Sequence, residues 1–329
     1  MLSDRDYVFA SSFLRAADAP GTPAERLARF SEASSKDALR AEVAEAYRIT
    51  SSGADVYERV IFDAVEKMRS SLPDFKVVYP LLFKYDCTNI KTAIKCAVKN
   101  IPSDSLMFSV GTVSRELIAD SAKKSSFRAL PDYVSAMRSA ADEALEEYRK
   151  TGEVRAIDLM LDAACFEDMR RVADEGGVPL IKNTVTLRAD GVNILTCMRI
   201  GDSGMLAAAR RSLMQRAFVP GGDMPLSAVL SGEGGCADAE AAAKKIPSGS
   251  VSALAVKSAA AAHSFADAEK IIDEAVLALS DKFRFKPFGA EVAVRFLLLR
   301  EAEMTNCRII EAAMNGDGDV KERMRKAYV

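Results

Sequence analysis

Apolar positions recur along most of the chain with the period of an α-helix. In residues 36–49, Leu39, Val43, Ala46 and Tyr47 share one face, while Arg40, Glu42, Glu45 and Arg48 meet water. Residues 55–69 repeat the pattern with Val56, Val60, Ile61 and Val65 inward. The same period predicts helices over 132–150, 153–173, 204–217, 237–245, 265–280 and 288–314. Abundant alanine and interspersed charges of both signs suit helices. Breakers separate these stretches at Pro73, Pro102, Gly176-Gly177, Pro220-Gly221-Gly222, Gly232 to Gly235 and Pro247. Short β-branched runs at 76–79 and 184–187 read as extended and are too few for a sheet-based fold. The expected fold class is all-α.

The chain also repeats itself. Asp86-Cys87-Thr88-Asn89, Asp190-Gly191-Val192-Asn193 and Glu303-Met304-Thr305-Asn306 each place an acid three residues before an asparagine. The asparagines recur at intervals of about 104 and about 113 residues. Upstream of each lies an apolar–Asp pair: Phe62-Asp63, Leu161-Asp162 and Ile272-Asp273. Downstream lies a glycine read as opening a helix (Gly111, Gly222 and Gly318), with Thr112, Asp223 and Asp319 as candidate N-caps. Three units of roughly 105–110 residues follow, bounded as 1–107, 108–218 and 219–329. The middle unit carries Leu195 where Lys91 and Arg308 stand in its sisters, and its Gly191 is read as the start of a helix.

Residues i and i+3 share a helix face. An acid and an amide so placed can bond the backbone or a side chain of a crossing helix. The leading reading is therefore a buried polar fastener that fixes helix register. An exposed contact for a partner is the second reading. Catalysis is the weakest, since no nucleophile or base recurs beside the motif.

Residues 83–91, Phe83-Lys84-Tyr85-Asp86-Cys87-Thr88-Asn89-Ile90-Lys91, resemble the Asp-x-x-Asn-Leu-Lys element of the C-type subunit of V-type and A-type ATPases, whose eukaryotic V-ATPase counterpart is designated d. Residues 300–310, ending Glu303-Met304-Thr305-Asn306-Cys307-Arg308-Ile309-Ile310, are similar to that family's acidic-x-x-Asn-x-Arg-Ile-Ile helix. Asn315-Gly316 and residues 320–325 follow like its closing short helix. The resemblance implies three similar helical domains in a pseudo-threefold, funnel-like arrangement. It implies a non-catalytic central-stalk adaptor that couples the shaft subunits, of the D and F types, to the membrane proteolipid rotor ring. Proton or sodium transport would then be linked to ATP hydrolysis or synthesis, with the protein peripheral on the cytoplasmic face. The motif residues carried over are Asp86, Asn89, Lys91, Asp190, Asn193, Glu303, Asn306 and Arg308. A generic α-helical interaction scaffold is the alternative.

Composition narrows the chemistry further. The 329 residues are 49% hydrophobic and 28% charged, which excludes global disorder. Lys plus Arg number 45 against 47 Asp plus Glu, so a large nucleic-acid surface is not expected. His263 is the single histidine, which disfavours histidine-based acid–base and zinc chemistry. It is expected near a helix start, facing solvent or capping. No cofactor, metal or small-molecule substrate is expected. An enzyme built on carboxylates alone would need two acids facing each other across an apolar pocket, and no such pairing is visible.

Cys87, Cys96, Cys165, Cys197, Cys236 and Cys307 form no Cys-x-x-Cys pair and read as reduced thiols of a cytosolic protein. The opening residues are charged from Asp4, so no secretory leader is expected. No apolar run approaches the roughly 18 residues of a membrane span. Asn315 to Asp319 fails the calcium-loop pattern, with Val320 and Lys326 where glycine and glutamate are needed. Gly201 to Gly204 and Gly232 to Gly235 lack the phosphate-loop lysine, and Asp202-Ser203 reads as a cap for the following helix. The acidic stretch 142–147, the basic run 208–216 and the basic tail 321–326 read first as solvated surface, with partner contact as the second reading for the acidic stretch and an anionic partner or lipid headgroup for the two basic ones.

Overall fold

The computed structural model describes residues 2–18, 21–50, 53, 55–231, 238–314 and 323–325. Among them are 15 α-helices and no strand. The first six are α1 (Val8–Ala16), α2 (Pro23–Ser31), α3 (Lys36–Tyr47), α4 (Val56–Ser71), α5 (Tyr79–Lys99) and α6 (Arg115–Lys123). Then come α7 (Ser135–Thr151), α8 (Val154–Gly176), α9 (Pro179–Gly201), α10 (Ala207–Ala217) and α11 (Leu226–Val229). The last are α12 (Ala239–Ala243), α13 (Ala253–Ala260), α14 (Phe265–Asp281) and α15 (Ala290–Ala313).

Local chemistry sets several helix ends. Thr22 and Glu25 form a capping box around Pro23, which occupies the first turn where its missing N–H costs nothing. Ser35 and Ser114 cap α3 and α6 by accepting the N–H groups of Ala38 and Leu117, each at 3.2 Å. Gly152 and Gly177 end α7 and α8 in the left-handed conformation that favours glycine.

The chain folds as two compact units. Met1–Val78 joins Asp273–Val329 in one, and Tyr79–Ile272 forms the other. In the first, α15 is the central helix, packed against α1, α2, α3 and α4. Val294, Leu297, Met304 and Cys307 lie on it fully enclosed, facing a core that includes Phe30, Leu39, Val56 and Met68. In the second unit, α5 packs on α6, α7 and α8, while α9 packs on α8, α10, α12 and α13. Leu81, Phe83, Ile90, Leu161, Ile194 and Val256 are among the enclosed residues of that core.

Three local expectations are overturned. Residues 76–79 and 184–187 are helical, not extended, because both runs lie in or beside long buried helices where packing overrides β-branched preference. Gly191 lies inside α9 instead of starting a helix. It is there for space: a Cβ at this position would sit 2.6 Å from Ile272 Cγ2 of α14. Asp202 and Ser203 close α9, with Ser203 Oγ donating to Ile200 O, while α10 begins after Leu206 without a side-chain cap.

Replacing Gly191 by alanine should therefore force α9 and α14 apart and destabilise the protein by about 1–3 kcal/mol. Denaturant unfolding of Gly191→Ala measures this. Adding Ile272→Ala, which removes both γ carbons, should make the double variant less destabilised than the sum of the two single changes, and strictly additive losses would contradict the contact.

Candidate functional site

The three asparagines make the same pair of bonds. Asn89 Nδ2 donates to Phe108 O at 3.0 Å, and Asn89 Oδ1 accepts Phe108 N–H at 2.7 Å. Asn193 treats Val219 identically, with both distances 2.9 Å. Asn306 does so with Arg325, at 3.3 and 2.8 Å. All three asparagines are fully enclosed. The side-chain amide thus replaces a peptide neighbour for a chain segment that has left its helix. The bonded residue lies 19, 26 and 19 positions downstream. The partner is the following loop of the same chain, where the sequence suggested a crossing helix.

The acids at the first position of the motif divide into two kinds. Asp86, on α5, accepts the N–H groups of Thr112 and Val113 and the Thr112 hydroxyl at 2.7–3.1 Å. Asp190, on α9, accepts the N–H groups of Asp223 and Met224 at 3.1 and 2.8 Å, and the Ser252 hydroxyl. Burial pushes the Asp190 carboxyl above its ordinary range, and its hydrogen bonds only partly offset this. Thr112 and Asp223 are therefore donors to these aspartates through their own backbone, not N-caps. Ser114 caps α6, and Pro225 precedes α11. Gly111 and Gly222 supply the clearance: a Cβ would meet Asp86 Oδ1 at 2.5 Å or Asp190 Oδ1 at 1.9 Å. Gly318 and Asp319 lie outside the described residues.

Glu303 is turned instead into the core of its own unit. Arg26 Nε and Nη2 donate to its two oxygens at 2.7 and 3.2 Å, and the Tyr47 hydroxyl donates to Oε2. Arg300 lies over the Tyr47 ring at 4.1 Å, 3.4 Å from Glu303 Oε2, and reaches Asp18 at 2.8 Å. Arg26, Arg300 and Glu303 are at most 6% exposed. Burial lowers the Arg26 pKa, but the hydrogen bond and charge of Glu303 more than reverse this. Burial also raises the Tyr47 phenol, helped by the adjacent carboxylate. Such a cluster holds one geometry because losing any partner strands a buried charge.

Lys91 and Arg308, equivalent in the motif, differ in surroundings. Lys91 Nζ bonds Asp162 on α8 at 2.5 Å, and Lys95 one turn on bonds Asp158 at 2.5 Å. Arg308 is exposed and lies 5.6 Å from the Tyr57 ring centroid. Of the apolar–Asp pairs, Asp273 binds the Arg325 guanidinium at 2.7 Å, while Asp63 binds Lys67 on its own helix at 2.6 Å.

Several polar residues escaped the sequence reading. Asp168 on α8, fully enclosed, accepts the N–H groups of Ala136 and Met137 at the start of α7 and holds Arg171 at 2.7 Å. Arg26, Tyr47 and Ser252 had no local signal for their roles, since Arg26 and Glu303 are 277 positions apart. Arg300 had one: it stands three residues before Glu303. His263 is exposed and precedes Ser264, whose Oγ accepts the Asp267 N–H at the start of α14. Cys87, Cys96, Cys165, Cys197 and Cys307 are buried free thiols, and Cys236 lies outside the described residues. Among the described residues no cluster of His, Cys, Asp and Glu is arranged for a metal ion. A cleft of about 680 Å³ between α5, α6 and α7 has Ala93, Ile94 and Leu145 in its walls and Asp104 as its one carboxylate.

These arrangements define a class: an all-helical protein whose recurring polar residues tie helices to their own loops. The sequence model of the family described as ATP synthase (C/AC39) subunit matches residues 15–315. The chain belongs to that family, and so to the V/A-type rotary ATPase subunits. No curated protein matches it significantly. No helix among the described residues is long and apolar enough to cross a membrane.

Two outcomes follow from this geometry. Replacing Asn89, Asn193 or Asn306 by leucine leaves a buried peptide N–H and C=O without partners, so each should cost about 1–3 kcal/mol. Calorimetry checks this; unchanged melting with lost assembly would make the asparagines interface residues.

The second concerns acid. Burial raises the Glu311 carboxyl, but bonds from Arg40 and from the Tyr57 hydroxyl at 2.6 Å outweigh it, leaving the pKa lowered. A lowered folded-state value stabilises fully above the unfolded value of about 4.3 and is lost as pH falls through the folded one. Arg40→Met should reduce the melting difference between about pH 6 and about pH 3. Parallel melting profiles would contradict this assignment.

Proposed function

We propose that this protein is a non-catalytic central-stalk adaptor of a V/A-type rotary ATPase. It seats the D- and F-type shaft subunits on the membrane proteolipid ring, peripheral on the cytoplasmic face. Ion movement is thereby coupled to ATP hydrolysis or synthesis. The observation that carries this reading is the family match over residues 15–315, joined to three asparagines that make one bond pattern.

A torque-bearing part needs stiffness, which close packing and enclosed polar ties supply. The charged cluster around Glu303 and the aspartate–backbone ties at Asp86 and Asp190 support that role. The division into 1–107, 108–218 and 219–329, three similar helical domains about a pseudo-threefold axis, belongs to the same proposal. It is supported by the fasteners: in this division Phe108 and Val219, held by Asn89 and Asn193, are the first residues of the second and third domains. Each tie then secures the start of the next domain to the end of the previous one.

Purification of the assembly under gentle conditions from its native membrane tests the role. The chain is expected to travel with the shaft subunits and the proteolipid ring. Its consistent absence from an otherwise intact assembly would favour the alternative, an α-helical interaction scaffold unrelated to rotary ATPases.

A further inference from the structure

We infer that the loop joining α14 to α15 is a contact for an anionic lipid bilayer, with Phe285 entering the interface between basic side chains. Residues 282–288 read Lys282-Phe283-Arg284-Phe285-Lys286-Pro287-Phe288, alternating cation and ring. Phe285 is 89% exposed, more than any other large apolar side chain among the described residues. Lys282 and Arg284, on either side of Phe283, are exposed and find no carboxylate among the described residues. Arg284 lies 5.6 Å from the Phe285 ring centroid.

The exposure is built into a braced loop. The Arg15 guanidinium of α1 donates to the carbonyls of Lys286 and Pro287. Lys286 Nζ bonds Asp4 at 3.1 Å and Glu291 at 2.7 Å, and Gly289 N–H donates to Ser11 Oγ at 3.3 Å. Gly289 has a φ of +139°, and a Cβ there would lie 2.9 Å from Asp4 Oδ1, so the chain closes onto α1 only with glycine. Phe283 N–H, Arg284 N–H and Lys286 N–H are bonded to Ser280, Asp281 and Phe283 carbonyls. The fold therefore holds an apolar ring out in water from a fixed base.

The shape selects the occupant. Peptide partners seat their anchors in grooves, where the binding protein is concave. Here the apolar group protrudes, as an interfacial anchor does when its ring enters the headgroup region and adjacent cations meet lipid phosphates. Beside the loop a cleft of about 70 Å³ is lined by Arg15, Arg284 and Arg295, with Asp18 as its carboxylate. Arg295 Nη2 reaches Asp281 at 3.3 Å, while its Nε is buried without a hydrogen-bond partner. That excess of guanidinium groups suits an anionic headgroup.

The chain contains no tryptophan, so Phe285→Trp provides a single fluorescent reporter at an exposed position. With vesicles of mixed phosphatidylcholine and phosphatidylglycerol, its emission should shift to the blue and be quenched by lipids brominated along their chains. Pure phosphatidylcholine should give little response, and added salt should weaken binding. Lys282→Glu with Arg284→Glu should lower partitioning about tenfold or more. Flotation of the unsubstituted chain and of the double charge reversal with the same vesicles gives a reading independent of the tryptophan. Failure of the unsubstituted chain to float with anionic vesicles would overturn the inference. So would equal binding to neutral vesicles. A spectral shift induced by soluble polyglutamate and not by vesicles would assign the loop to an acidic protein instead.

Discussion

A peptide that leaves a helix inside a protein carries an N–H and a C=O that water no longer serves. The rest of this structure depends on how that demand is met. A chain made of helices must turn many times, and each turn taken inside the core exposes backbone groups that need partners. Three asparagines meet this need in one way, each offering an acceptor and a donor to the N–H and C=O of one downstream residue. Asparagine suits the task because its side chain copies the peptide group without carrying charge. Two aspartates, one turn earlier on the same faces, collect further N–H groups from the same loops. The helix and its outgoing loop thus become one rigid piece.

Departures from the repeat are equally physical. Glutamate stands in the third copy, one methylene longer, and its carboxylate reaches sideways to two arginines and a tyrosine. The unit formed by the two chain ends is consequently held by a charged cluster whose members come from α2, α3 and α15. In the other unit, α5 and α8 are joined by two ion pairs one turn apart, Lys91–Asp162 and Lys95–Asp158. The cluster around Glu303 places opposite charges where little water enters, which fixes geometry more than it adds net stability, whereas the two α5–α8 pairs are half-exposed and add little.

The glycines mark the points where these ties demand space. Gly111 and Gly222 allow a carboxylate to approach the backbone, and Gly191 allows a helix to lie against Ile272. In each case a methyl group would occupy a position another atom already holds. The same reasoning separates these glycines from Gly152 and Gly177, where backbone conformation is what the residue provides.

The helical class, the amphipathic helices and the threefold recurrence of acid and asparagine were legible in the sequence by itself. Periodicity finds a helix with one wet face, so α3, α4, α7 and α8 stood out. Helices α5 and α9 did not, because burial on most sides removes the polar stripe that reveals the period. The spacing Asp-x-x-Asn placed both side chains on one face, yet could not say which loop that face would meet. Only the tertiary structure decided that Asn89 holds Phe108, that Gly191 faces Ile272, and that Arg26 reaches Glu303. Sequence patterns encode neighbours three or four residues apart, whereas a buried hydrogen bond across 277 positions exists only after packing brings its partners together.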